Sequence, residues 1–134
     1  MRTFFLIALP ATLLAACSDK NEAAEDKLER AAETGATVAG PLPAALGLSE
    51  AQLLDADIVA RDGTELGDVA QVIRDADGKV DRFLVELDGI GPDRYVHVPV
   101  TGLKTVVHGD DTDLATTMTK ADLKALPEVK LPAP

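Results

Sequence analysis

The sequence predicts an all-β domain, a small barrel or sandwich of about six short strands, occupying the second half of the chain. Three observations predict it. From residue 57 onward apolar and polar side chains alternate in short segments, the period of a half-buried strand. These segments recur at intervals of roughly ten residues, the rhythm of sandwiches and barrels. Asp62-Gly63 and Asp77-Gly78 lie between them, and an aspartate–glycine pair is what tight hairpin turns select.

The chain begins with Met1-Arg2-Thr3, a positive start, and an apolar run from Phe4 to Leu14. That run has signal-peptide length and falls short of the roughly 20 apolar residues that span a bilayer. It closes on Leu14-Ala15-Ala16-Cys17, which holds the single cysteine of the chain, and the sequence then turns polar. These four residues resemble the lipobox of bacterial lipoproteins. The resemblance implies that residues 1–16 are a removable signal peptide and that Cys17 becomes the lipidated first residue, its sulfur carrying palmitate-like acyl chains. Each buried methylene contributes about 0.8 kcal/mol, so two or three such chains hold a protein on a membrane. The expected place is the bacterial cell envelope, lipid-anchored and facing the periplasm. Ser18 in place of aspartate favours the outer membrane over the inner, by similarity to enterobacterial sorting.

Residues 17–48 read as the lipidated N-terminus, a helical tether and a linker. Ser18 to Ala32 forms a polar helix, with Asp19 and Glu22 at capping-box spacing and Asp26 four residues before Arg30. Its apolar positions are mostly alanine, so it reads as a solvated spacer, and Gly35 stands where it would stop. Thr37 to Gly47, with two prolines and two glycines, is the linker.

Residues 49–134 form the folded unit. Ser49 and Gln52 have capping-box spacing and open a helical turn ending near Leu54. Strands follow at Asp57–Arg61, Leu66–Arg74, Val80–Asp88, Arg94–Val100, Lys104–His108 and Asp113–Met118. Phe83, Val85 and Leu87 share one face of the third. Thr119 and Asp122 cap a terminal helix that ends before Pro127.

Within this unit, Asp62-Gly63-Thr64-Glu65-Leu66-Gly67-Asp68-Val69 and Asp75-Ala76-Asp77-Gly78-Lys79-Val80 follow one another in order. After them come Gly89-Ile90-Gly91, Val96-His97-Val98-Pro99-Val100 and Thr119 to Pro127. Their order and spacing resemble the PRC-barrel domain, a small β-barrel, over Ala56 to Pro127. The resemblance implies a docking or scaffold module with no shared catalytic residues.

Charge narrows the partners. The chain carries 13 basic and 23 acidic side chains, a formal charge of −10. Loss of residues 1–16 removes one arginine and no acid, so the imbalance deepens. That field repels phosphates, which excludes nucleic acid as a partner. Aromatic residues are scarce, three Phe, one Tyr and no Trp, so the core is built from Val, Leu, Ile and Ala. A lone cysteine permits no internal disulfide.

The candidate sites read as structure. His97 and His108 lie in strand patterns without a second histidine or cysteine at ligand spacing. The stretch Asp75 to Asp81 echoes a calcium loop but reads as a turn closed by aspartate side chains on backbone N–H groups. Gly109 to Asp113 reads the same way, although its three carboxylates can attract a cation weakly. Ser18 and Ser49 have no histidine placed to activate them. Gly89-Ile90-Gly91 precedes no helix and is not a nucleotide fingerprint. The expectation is a membrane-anchored, non-enzymatic binding or scaffold module for a protein partner, without catalytic residues, cofactor or metal. The alternative is a cation-responsive envelope module that binds Ca2+ weakly through its acidic loops.

Overall fold

The computed structural model of the chain describes residues 19–89 and 92–132. The leader, Cys17 and the Ile90-Gly91 part of the glycine loop lie outside the described residues, as does the Asp19 side chain of the expected first cap.

Helix α1 spans Asp19–Ala39 and runs seven residues past Ala32, where the sequence suggests it ends. Alanine, glutamate, lysine and leucine are good helix formers, and Gly35 does not stop it. A Cβ at Gly35 would lie 3.0 Å from Oε1 of Glu50, so this glycine marks close packing rather than a terminus. The helix ends instead at Gly40, at φ 68, whose N–H donates to the Ala36 carbonyl. Nor is α1 a solvated spacer. Ala24 and Ala32 are buried, and with half-buried Leu28 they form a stripe laid on the outer face of the sheet. Small side chains make this docking possible by letting helix and strands approach closely. Among the described residues no ion pair joins Asp26 to Arg30.

The stretch read as linker is partly folded. Strands β1 (Pro43–Ala45) and β2 (Leu48–Ser49) make a small antiparallel hairpin through Leu46 and Gly47, both at positive φ. Helix α2 (Glu50–Leu54) follows, with the capping box formed: Gln52 N–H donates to Ser49 Oγ and Ser49 N–H to Gln52 Oε1.

All six expected strands form, as β3 (Asp57–Val59), β4 (Glu65–Arg74), β5 (Val80–Leu87), β6 (Arg94–Pro99), β7 (Leu103–His108) and β8 (Asp111–Thr116). Helix α3 (Lys120–Ala125) carries the Thr119–Asp122 capping box, and an unexpected strand, β9 (Glu128–Val129), succeeds it. The main sheet has seven strands in the order β7-β8-β3-β4-β5-β6-β9. β3 runs parallel to β8; every other neighbour is antiparallel.

Two register shifts in β4, between Val69 and Gln71 and between Ile73 and Arg74, bend the sheet around its core. Gly67 permits the β4–β5 approach, because a Cβ there would overlap the Glu86 carbonyl oxygen. The inner face carries Ile58, Val69, Phe83, Val85, Val96, Val98 and Leu114; Leu53 of α2 and Leu123 of α3 join this core. Each fully buried side chain of this size contributes about 1.5–3 kcal/mol.

Among the described residues the strand ladder is not closed by hydrogen bonding between its end strands. β9 takes the free side of β6, and a 3-10 turn at Val100–Gly102 leads on to β7, which pairs with β8 alone. No helix among the described residues is long and apolar enough to cross a membrane.

Candidate functional site

Strand register assembles the most distinctive chemistry of the molecule. Asp57 of β3 stands opposite Asp68 of β4, Asp68 opposite Glu86 of β5, and Glu86 opposite Tyr95 of β6. Ile58 pairs with Leu114 of β8, which sets Asp113 beside Asp57 one step earlier. Four carboxylates and a phenol therefore form a row across five neighbouring strands. Glu65 joins it at the start of β4, and Asp57, Glu65 and Asp68 each bring an oxygen within 4.8 Å of the others.

Opposed side chains in antiparallel strands lie about 5 Å apart at Cβ, so like charges here repel. Asp57, Asp68 and Glu86 respond by holding their protons more tightly. Asp57 is pushed up to about 6, first by burial, then by the hydrogen bond it shares with Asp68 and by the charges of Asp68, Asp113 and Asp88. Asp68 is also raised by burial, with its bond to Asp57 pulling the other way. Glu86 is raised by burial against the opposing effect of Tyr95, whose hydroxyl donates to it at 3.2 Å. From α1, Glu25 is raised by burial and by the hydrogen bond it shares with Asp93. The row is a proton-sharing acidic strip, able to attract a divalent cation or the basic side chains of a partner.

The residues singled out in the sequence fall elsewhere or serve the scaffold. Asp75 Oδ1 accepts from the N–H groups of Asp77 and Lys79 at 2.9 and 3.0 Å, so it closes its own turn. His97, on β6, lines a cleft with Leu28 of α1 and Leu84 of β5. Burial, then the charge of Arg82, lower its pKa, so the ring is neutral near pH 7. His108 ends β7 with Nδ1 2.9 Å from Oδ2 of Asp113. Of the acidic loop 109–113, only Asp113 reaches the row. Asp57, Glu65 and Asp68 carry no local signal, because each is one polar residue in an alternating strand and only pairing unites them.

Residues 49–121 match the PRC-barrel domain family. The chain belongs to the PRC-barrel family. A search of the curated proteins finds no match. The matched PRC barrel starts at Ser49, the cap of α2, and stops inside α3. Helix α1, strand β1 and strand β9 lie outside the matched residues. Glu25, which faces the acidic strip, comes from α1, outside that match.

Proposed function

We propose that this PRC-barrel protein is a bacterial envelope lipoprotein, held on a membrane by acyl chains on Cys17, whose barrel binds a protein partner and catalyses nothing. The open edge of β7 carries the binding part of this reading. Among the described residues Leu103–His108 is paired on one side, with β8, and Val107 is 67% exposed. An unpaired edge strand is a template for an extended segment of another chain, which gains main-chain hydrogen bonds there. Thr105, whose hydroxyl donates to the Leu46 carbonyl at 2.9 Å, is the point where β7 is tied to the β1–β2 turn. The lipobox resemblance supports the anchor, and the outer membrane is the favoured side.

A photo-crosslinking side chain placed at Val107 in cells of the native host tests the docking. The expected result is one dominant protein adduct; labelling no stronger than from a probe at exposed Asp77 refutes it. Mass spectrometry of the mature protein tests the anchor, and an unmodified Cys17 sulfur overturns it.

A cation-responsive role is the second reading, favoured by the convergence of Asp57, Glu65 and Asp68 rather than by the acidic loops. Calorimetric titration with calcium decides it: stoichiometric heat that disappears in Asp57→Asn supports it, and no heat refutes it.

A further inference from the structure

The two ends of α1 touch opposite ends of the barrel. Near its start, Asn21, Ala24 and Glu25 share a cleft with Pro92 and Asp93 of the β5–β6 loop and with Leu131 of the tail. Near its finish, Gly35 packs close to Glu50 and shares a hollow with Arg74, and Arg74 Nη1 donates to the Gly78 carbonyl in the β4–β5 turn at 3.0 Å. At 1.5 Å per residue the helix is about 30 Å long, comparable to the ten-residue strand β4 beneath it. The buried stripe of Ala24 and Ala32 fixes its course on the sheet.

Cys17 stands two positions before Asp19 in the sequence, and two residues reach no further than about 7 Å. We infer that the barrel presents the end formed by Pro92, Asp93 and Lys130–Pro132 to the lipid surface and points the Asp75–Lys79 turn away from it. The inference rests on the lipidation of Cys17. It adds that no long flexible spacer separates anchor from barrel, because the helix that follows the anchor is itself docked. The bilayer-facing end carries Arg94, Lys124 and Lys130 beside the acids Asp88, Asp93 and Glu128, so it is the short link to the anchor, and not its charge, that selects this end. Val38 and Leu42, 83% and 72% exposed, then stand at the far end with the C-terminus of α1.

The full chain, processed in a bacterial host and reconstituted into vesicles of phosphatidylethanolamine and phosphatidylglycerol, provides the test. Acylation consumes the only native thiol, so Lys130→Cys, Pro92→Cys or Ala76→Cys each offers a single site for a fluorophore. All three positions are exposed. With a nitroxide quencher on the lipid headgroups, labels at 130 and 92 are expected to be quenched at least about fivefold more than one at 76, given a separation near the 30 Å helix length. Equal quenching, or stronger quenching at 76, in protein that floats with the vesicles overturns the orientation alone. Protein that fails to float with the vesicles overturns the anchor, and the orientation with it.

Discussion

Replacing Asp57 by asparagine is expected to stabilise the protein in neutral and alkaline solution and to leave it unchanged in acid. The native carboxyl is raised from 3.8 to about 6 by burial and by Asp68. Because the folded state binds this proton more tightly than the unfolded chain, its contribution is fully present below the unfolded value. It is lost as pH rises through about 6. A shift of roughly two units at 1.36 kcal/mol each sets an upper bound of about 3 kcal/mol for the cost of ionising the folded pair. Partial exposure and solvent screening reduce that to about 1–2 kcal/mol. Asparagine carries no charge at any pH and keeps an N–H donor for the Asp68 carboxylate. Urea denaturation followed by far-ultraviolet circular dichroism, on wild type and Asp57→Asn at about pH 4 and pH 8, isolates the effect, since the other carboxyls are common to both. A gain of about 1–2 kcal/mol at pH 8 that vanishes at pH 4 is the expected outcome. An equal difference at both pH values, or a loss at pH 8, refutes the like-charge account of the row.

Two further substitutions probe the frame around it. Gly67→Ala drives a Cβ into the Glu86 carbonyl oxygen, and separating β4 from β5 there is expected to cost about 2 kcal/mol or more, read from the urea midpoint. Arg74→Ala leaves the buried Glu50 carboxylate without its 2.6 Å partner and frees the Gly78 carbonyl. A loss of about 1–3 kcal/mol is expected, and Arg74→Lys, which keeps the charge but not the two-pronged reach, is expected to recover only part of it.

Where structure depends on neighbours in the chain, it was legible. The Ser49 and Thr119 caps formed as their spacing implies, and Asp62-Gly63 and Asp77-Gly78 turned the strands they separate. The strand periods placed Phe83, Val85 and Leu87 together in the core. Gly35 misled because its meaning lies in Glu50, fifteen positions away, and not in the helix around it. β9 gave no signal because two residues between Pro127 and Lys130 are too few to show a period. The acidic row was hidden for a third reason: its carboxylates come from four strands spread over residues 57–113, and no short window of the sequence contains them all.

By itself the sequence determined which segments are strands, where they turn, that the core is aliphatic and that the surface is strongly acidic. These follow from side-chain period, backbone preference and charge count, all local or additive. Only the tertiary structure decided that β7 is an edge strand among the described residues, that α1 lies along the barrel, and that Asp57, Asp68, Glu86 and Asp113 stand side by side. Each of those depends on which strand pairs with which and in what register, and a one-residue slip of any one strand would turn its carboxylate to the opposite face and break the row.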